Sequence, residues 1–217
     1  MNADILNRLA DAIGPQSMFS EYSVAVPAEG DALLSVLRIC AETSTPVSVL
    51  STARGSTTTP PDGGLLINLE RLNTIEVRAA ALTLRAGTGA QMTDVVAAAA
   101  AEGLAITGLG SGPMPASVGA LVAKGAVSRR SITGVDAALV NGDTISFGGV
   151  LKDVVGYDVP AVLLGSMGRL AVIVTVTFRL EPVGAHTVAP APAPGPVALE
   201  PEMARAFDPT SLLRATT

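Results

Sequence analysis

Residues 148–178, with the sequence GGVLKDVVGYDVPAVLLGSMGRLAVIVTVTF, set four polar side chains in an otherwise apolar stretch. Lys152, Asp153, Tyr157 and Asp158 come shortly before a Gly-Ser-Met-Gly turn. The nine residues that end this stretch are rich in Val, Ile and Thr, which is the composition of a buried strand. The stretch therefore predicts a loop, a tight turn and then a long strand in the core.

The most apolar run of the chain, residues 161–178, is interrupted by Gly165, Gly168 and Arg169. A membrane-spanning helix needs about 20 consecutive apolar residues, so a strand is the better interpretation. No charged segment followed by an apolar core opens the sequence, and we therefore expect no signal peptide. These observations predict a cytoplasmic protein without a transmembrane segment.

The composition is that of a folded domain: hydrophobic residues make up 48% of the 217 residues, charged residues 15% and aromatic residues 3%. Ala, Val and Leu must therefore fill the core. The net charge of -5 argues against a nucleic-acid-binding surface, because phosphate binding needs clustered Lys and Arg. Cys40 is the sole cysteine, which excludes a disulfide framework and a multi-cysteine metal or iron–sulfur site within the chain.

Helix-type and strand-type patterns alternate along the chain and are separated by Gly- and Pro-rich loops. ADILNRLADAI, DALLSVLRICAETS and AQMTDVVAAAAAEG carry apolar residues at helical spacing. YSVAV, PVSVLS and ALTLRA predict strands, and Asn141-Gly142 predicts a two-residue hairpin turn. The pattern indicates an α+β fold with two lobes. The expected divisions are an N-terminal helix at 1–19, a body at 20–182 with lobes at about 20–78 and 79–182, a Pro-rich linker at 183–201, and a short helix or tail at 202–217.

Several common catalytic and nucleotide-binding motifs are absent from the sequence. Gly87-x-Gly89 lies between a predicted strand and a predicted helix, but Met92 stands where a dinucleotide-binding fingerprint has its third glycine. No Gly-x4-Gly-Lys-Ser/Thr motif occurs. His186, the single histidine, adjoins the Pro-rich segment, which argues against a Ser-His-Asp or Cys-His device and against a histidine-based metal centre.

Four loops are built largely from small residues, namely STARGSTTT, GLGSGPMPASVG, GVDAALVNGD and GSMG. Small residues let backbone N–H groups approach a bound anion closely, and Ser and Thr hydroxyls add donors. Together, loops that follow strands are suited to cradle a pyrophosphate. Each of them, taken singly, is equally well explained as a turn, and the residues alone leave both interpretations open.

The order of these segments resembles the FAD-binding domain of the vanillyl-alcohol-oxidase/PCMH flavoprotein superfamily. PPDGGLLINLERLNTIEV is similar to the segment after the first phosphate loop of that family, and LTLRAGTGAQMTDVVAAAAAEGLAI to its next strand and helix. GGVLKDVVGYDVPAVLLGSMGRLAVI resembles a stretch of the FAD-binding accessory subunit of bacterial glycolate oxidases. The resemblance covers residues 20–182 and implies a two-lobed PCMH-type fold with FAD as cofactor.

The resemblance also implies which residues bind FAD, and it assigns no catalytic residue and no metal ligand. For Lys152, Tyr157 and Asp158, a purely structural role in capping and fixing a turn is the alternative. The implied cofactor-binding residues are Ala53, Arg54, Gly55, Ser56 and Thr57 in the first phosphate loop, Ser117, Val118, Gly119 and Ala120 in the second, and Tyr157, Asp158, Gly165, Ser166, Gly168 and Ile173 in the third stretch.

The chain also departs from the family pattern. Ala53 replaces the first glycine of the phosphate loop, Arg54 stands in its middle, and the substrate (cap) domain expected after the last strand is missing. These departures predict an accessory subunit of a hetero-oligomeric, glycolate oxidase-like dehydrogenase that does not oxidise substrate by itself. A catalytic flavoprotein subunit and an iron–sulfur subunit are its expected partners. The alternative is a flavin-free structural subunit that kept the fold as an assembly interface.

Overall fold

The computed structural model describes residues 2–52, 58–110, 113–148, 158–185 and 195–214. Within these residues the chain forms two sheets with helices packed against them, which confirms the mixed α/β architecture expected from the sequence. The parallel part of the structure comes first along the chain, and the antiparallel part follows.

The first lobe contains two helices and four strands from the N-terminal part of the chain. An apolar stripe at helical spacing, Leu33, Val36, Leu37 and Cys40, is fully buried on the second helix. The elements are α1 (Ala3–Ile13), β1 (Met18–Phe19), β2 (Val24–Ala25), α2 (Gly30–Glu42), β3 (Val47–Leu50) and β4 (Leu65–Asn68).

The second lobe is an antiparallel sheet organised around one long strand. Its elements are β5 (Ile75–Arg78), β6 (Thr83–Gly87), α3 (Met92–Ala101), β7 (Leu104–Ile106), α4 (Val118–Ala123), β8 (Ile132–Ala138), β9 (Thr144–Gly148), α5 (Val159–Leu163) and β10 (Val172–Pro182). The sheet order is β5-β6-β10-β8-β9, and the end of β10 also pairs with β7. The strand predicted after the Gly-Ser-Met-Gly turn is therefore confirmed as the centre of this sheet.

The C-terminal segment returns to the first lobe. After α6 (Pro201–Phe207) the chain adds β11 (Leu213–Arg214), which pairs in parallel with β3. The first sheet then has the order β1-β2-β4-β3-β11. A short helix, α6, lies where the sequence predicted a short helix or tail, but the strand after it was not predicted.

The two lobes share part of their cores. Leu84, Leu121 and Phe178 lie in the core of the second lobe, whereas Ala138 and Val172, also from the second sheet, pack into the core of the first lobe. The core of the first lobe therefore includes apolar residues from the second sheet. The division between the sheets also falls earlier than the sequence suggested, because residues 75–78 form β5 of the second sheet.

The β8–β9 hairpin is confirmed, but its turn differs from the predicted two-residue type. The amide of Gly142 donates to the carbonyl of Leu139 at 2.9 Å, and the amide of Leu139 donates to Asp143 at 2.8 Å, which makes a three-residue loop. Gly142 has a positive φ of 81°, whereas Asn141 does not. A two-residue type I′ turn needs positive φ at both positions, and Asn141 instead accepts a hydrogen bond from the Asp143 amide through Oδ1 at 3.0 Å.

Candidate functional site

Three chain segments meet where β3 ends, where β6 turns into α3, and where α4 begins. The Oγ atoms of Ser51 and Ser117 lie 2.7 Å apart in a hydrogen bond. Gln91 Nε2 donates to Thr52 Oγ1 at 3.4 Å. We call the group Ser51, Thr52, Thr88, Gln91 and Ser117 the loop junction. It places Ser51 and Thr52, which precede the predicted first phosphate loop, directly beside the second.

Residues 53–57, which carry the predicted first phosphate loop, lie outside the described residues. So do Lys152, Asp153, Tyr157 and His186.

The first amides of α4 are already hydrogen bonded within the protein. Val118 N donates to the carbonyl of Ala90 at 3.0 Å, and Gly119 N donates to the carbonyl of Thr88 at 2.8 Å. Ala120 N donates to Ser117 Oγ at 3.3 Å, so Ser117 caps the helix. The polar atoms that this end of α4 presents to a ligand are therefore chiefly hydroxyl groups rather than backbone amides.

Gly119 is needed for the packing of the loop junction itself. A Cβ atom at this position would lie 2.2 Å from Thr88 Oγ1 and 2.8 Å from Ser51 Cβ. Contacts below 3.0 Å essentially never occur for real Cβ atoms, so a side chain would push the segments apart. The glycine predicted from the sequence to admit a phosphate thus also admits neighbouring protein atoms.

The Gly-Ser-Met-Gly turn lies at the opposite end of α4. Gly165 N donates to the carbonyl of Val122, and Met167 N to the carbonyl of Ala123, both at 2.9 Å. With a rise of 1.5 Å per residue, the six residues of α4 separate this turn from the loop junction by about 9 Å. One short helix therefore connects two of the segments that the sequence assigned to the cofactor.

Within this turn, Ser166 is 1% exposed and its Oγ has no hydrogen-bond partner among the described residues. Gly168 has a positive φ of 71°, and a Cβ atom added there would meet nothing within 4 Å. A buried hydroxyl without a partner costs about 1–3 kcal/mol, so such a group is unusual in a protein interior.

Other predicted site residues have clear structural surroundings. Asp158 caps α5 by accepting from Ala161 N at 3.3 Å, and it also accepts from Arg129 Nε at 2.7 Å. Val118 and Ile173 are buried in the core of the second lobe. Ala120 is half-buried at the start of α4. These contacts account for the four positions as parts of the fold, and a cofactor contact at any of them stays a prediction.

The titratable groups of the described residues offer little for acid–base or nucleophilic chemistry. Burial raises the pKa of the Cys40 thiol to about 12, which keeps it protonated. Asp136 lies on the outer face of the second sheet. Partial burial raises the pKa of its carboxyl, but hydrogen bonds from Thr175, Ser146 and Arg85 outweigh that effect and lower the pKa overall.

Neither a metal-ligand cluster nor a membrane span is found in the part of the chain that the structure describes. No group of three or more His, Cys, Asp or Glu side chains there is placed to hold a metal ion. No helix there is both long enough and apolar enough to cross a membrane.

The sequence did not predict Ser51, Thr52, Thr88 or Gln91 as site residues, although Ser51 and Thr52 belong to the small-residue loop STARGSTTT. No distinctive local pattern marks the loop and strand-end positions of Ser51, Thr88 and Gln91. These residues come together only through contacts between segments that are distant along the chain. The available signal was their position at the ends of strands, where loops of mixed α/β folds commonly carry ligand-binding groups.

Comparison with known proteins identifies the family of this chain. A family model described as an FAD binding domain matches residues 23–148. An uncharacterized FAD-linked oxidoreductase of Mycobacterium tuberculosis is 34% identical over 175 residues, which cover 73% of this chain and 37% of the relative. The glycolate oxidase subunit GlcD of Bacillus subtilis is 30% identical over 185 residues, which cover 77% of this chain and 38% of the relative.

A solved structure gives the same result for the fold. The structure of p-cresol methylhydroxylase with substrate bound matches with a TM-score of 0.64 at 15% identity, over 82% of this chain and 43% of that chain. The chain spans less than two fifths of the length of the two curated relatives. It belongs to the FAD-binding domain family, and its cofactor is FAD.

Proposed function

We propose that this chain is the FAD-carrying accessory subunit of a hetero-oligomeric dehydrogenase of 2-hydroxy acids. In this proposal FAD lies between the lobes along α4, with its pyrophosphate at the loop junction and at residues 53–57. A partner flavoprotein subunit binds the hydroxy acid and oxidises it, and an iron–sulfur subunit receives the electrons. When bound, FAD supplies a two-electron redox centre.

The observation that carries this placement is the pair of segments joined by α4. At one end, Ser51 and Ser117 bring two hydroxyls together at the interface of the lobes. At the other end, Ser166 has a buried hydroxyl without a partner, and Gly168 faces open space. These residues fit a bound FAD, since a polar ligand at the turn would satisfy the hydroxyl that the protein leaves unpaired.

The roles of this chain's own residues follow from their surroundings. The Ser51 and Ser117 hydroxyls are suited to donate to an anionic group, because a hydroxyl pair retains one hydrogen beyond the one shared between them. Gly168 keeps the turn free of a side chain, so that backbone and ligand approach closely. The Ser166 hydroxyl is suited to orient a polar edge of the cofactor within a water-poor environment.

The accessory role is supported by the short connection after the last strand of the second sheet. That strand ends at Pro182, and the chain is back on the second lobe at Gly195, which hydrogen bonds to Gly125. The dozen or so residues between them are far fewer than the roughly 50 of the smallest usual domain. In this proposal, another chain binds the substrate. The glycolate oxidase subunit among the relatives supports a 2-hydroxy acid as the substrate class.

A second candidate function is that of a structural subunit in which the fold serves assembly rather than redox chemistry. The engaged amides of Val118, Gly119 and Ala120 favour it, because a backbone cradle for phosphate would leave such donors free. Ala53, in place of the usual phosphate-loop glycine, favours it as well.

The deciding experiment combines the visible spectrum with a rate measurement. We expect the chain, purified alone or with its partners, to show flavin absorbance and to retain FAD through gel filtration. We expect the isolated chain to reduce an acceptor dye with glycolate or D-lactate more slowly than about 1 per second, the low end of ordinary enzyme turnover.

The two results have separate meanings. Faster turnover by the single chain would contradict the division of labour between subunits. A colourless protein in both preparations would contradict FAD carriage and would support the structural subunit. Replacement of Gly55 by Val should abolish flavin retention, because a side chain at a phosphate loop blocks the close approach of the backbone.

A further inference from the structure

Residues 195–197 lie across two glycine turns of the second lobe. Gly195 N donates to the carbonyl of Gly125 at 3.0 Å, and Val197 N donates to the carbonyl of Gly165 at 3.0 Å. Gly125 follows α4, and Gly165 opens the Gly-Ser-Met-Gly turn. The segment predicted from the sequence to be a Pro-rich linker is therefore hydrogen bonded near its end to the candidate cofactor site.

Both turn glycines leave room for the same atom of this segment. A Cβ atom on Gly125 would lie 2.3 Å from the carbonyl oxygen of Gly195, and one on Gly165 would lie 2.4 Å from it. Gly125 has a φ of +63° and Gly165 a φ of +82°, so both positions also favour glycine conformationally. The fit is specific, because a single methyl group at either position would displace the segment.

The same segment continues to the other lobe. Leu199 and Phe207 pack against the core of the second lobe. Beyond them, Asp208 is 4% exposed, and its Oδ2 accepts from Leu213 N at 2.7 Å. Leu212 O then accepts from Val47 N at 2.8 Å, beside the pairing of β11 with β3. Residues 195–214, which we call the C-terminal strap, thus hold both lobes at once.

We propose that the C-terminal strap is a positioning element for FAD: it holds the turn at residues 165–168 and fixes the spacing of the lobes. This inference rests on the proposed placement of FAD along α4. Gly125 and Gly195 then act through the turn, and loss of their contact weakens cofactor binding without removing a cofactor ligand. Release of the strap is coupled to release of FAD, since each stabilises the same arrangement of the turn.

The test uses a matched pair of glycine variants. Gly125→Ala strains a positive φ and also displaces Gly195, whereas Gly103→Ala strains a similar φ of +69° at a position where a Cβ meets nothing within 4 Å. The two variants therefore share the backbone cost and differ in the strap contact. The dissociation constant of added FAD is measured by flavin fluorescence. Hydrogen exchange of the peptide that contains Gly195 and Val197 reports on the strap itself.

We expect Gly125→Ala to raise the FAD dissociation constant by about tenfold, within the usual range for coupled sites, and to speed exchange of the strap amides. Gly103→Ala should leave both close to those of the unaltered protein. Equal FAD affinity in the two variants, with fast strap exchange in Gly125→Ala alone, would overturn the positioning role. An unaltered protein that binds no FAD would instead overturn the proposed function and the positioning role with it.

A second variant serves if Gly125→Ala does not fold. Val197→Pro removes the amide hydrogen that Val197 donates to Gly165, and it leaves both turn glycines unchanged. The side chain of Val197 is 44% exposed. We expect the same direction of change in FAD affinity and strap exchange. Unchanged FAD affinity together with fast strap exchange in this variant would equally overturn the positioning role.

Discussion

The two ends of α4 were both predicted to contact the cofactor, yet they differ in how completely the protein satisfies them. At the loop junction, the amides of Val118, Gly119 and Ala120 all have partners, and a glycine accommodates neighbouring protein atoms. At the turn of residues 165–168, a buried hydroxyl lacks a partner and a glycine faces open space. Similar small-residue loops therefore differ: one is fully hydrogen bonded where the lobes meet, and the other keeps an unpartnered buried hydroxyl.

The largest expected effect compares a glycine at each end. Gly119→Ala should lower the free energy of unfolding by about 2–3 kcal/mol, because the new Cβ would overlap Thr88 and Ser51. Gly168→Ala should lower the free energy of unfolding by about 1 kcal/mol, because alanine disfavours the left-handed backbone although its Cβ meets no other atom there. Urea unfolding of both variants measures the difference. Equal losses would show that the junction relaxes easily and that the contrast between the two ends is weaker than described.

The next effect concerns the serine that caps α4. Ser117→Ala should lower the free energy of unfolding by about 1–2 kcal/mol, since it removes both the helix cap and the hydrogen bond to Ser51. Ser35→Ala is the matched control, because Ser35 is half-buried on α2 and its hydroxyl donates to a carbonyl of its own helix. A loss for Ser117→Ala no larger than that of the control would indicate that the junction is held by packing alone.

Ser166 should behave in the opposite way. In the absence of FAD, Ser166→Ala should raise the free energy of unfolding by about 1 kcal/mol, because it deletes a buried polar group without a partner. With FAD present, the same change should weaken binding by about fivefold, the loss of roughly one hydrogen bond. Thermal unfolding and FAD titration together measure the two signs. Unchanged FAD affinity would remove Ser166 from the cofactor site.

The smallest effect concerns a group remote from both ends of α4. The pKa of Asp136 is lowered in the folded protein, so this carboxylate stabilises the fold above the unfolded pKa of about 3.9 and loses that effect as the pH falls through its folded pKa. As the pH falls from roughly 5 to 3, the unaltered protein should lose under about 1 kcal/mol of its free energy of unfolding through Asp136. Asp136→Asn should not show this loss. Melting temperatures of both proteins across that range check the prediction. The same acid dependence in the variant would place its origin elsewhere.

Much of the fold was predictable because the helices and long strands carry strong periodic patterns. α2 places Leu33, Val36, Leu37 and Cys40 on one face, and this pattern is visible in the sequence. The two-residue strand β11 has no such pattern, because it exists through pairing with a strand far away in the sequence. Its prediction would have required knowledge of which segment lies beside β3.

The candidate site was predictable in its segments but not in its chemistry. The sequence located the loop before α4 and the turn at 165–168 through their small residues. It could not show that the Gly119 amide is bound to Thr88 or that the Ser166 hydroxyl is unpaired, because both depend on long-range packing. The partners of the loop junction came from three separate loops, and no local pattern connects them.

The pairing of β11 with β3 has a consequence for how the protein is made. Roughly 160 residues separate the two strands, so β3 leaves the ribosome about 10–30 s before its neighbour is synthesised. During this interval its outer edge is an unpaired template for other chains, whereas the largest separation between paired strands of the antiparallel sheet, that of β6 and β10, is about 90 residues. We therefore expect the nascent chain to need protection by a chaperone most while its first lobe still lacks β11.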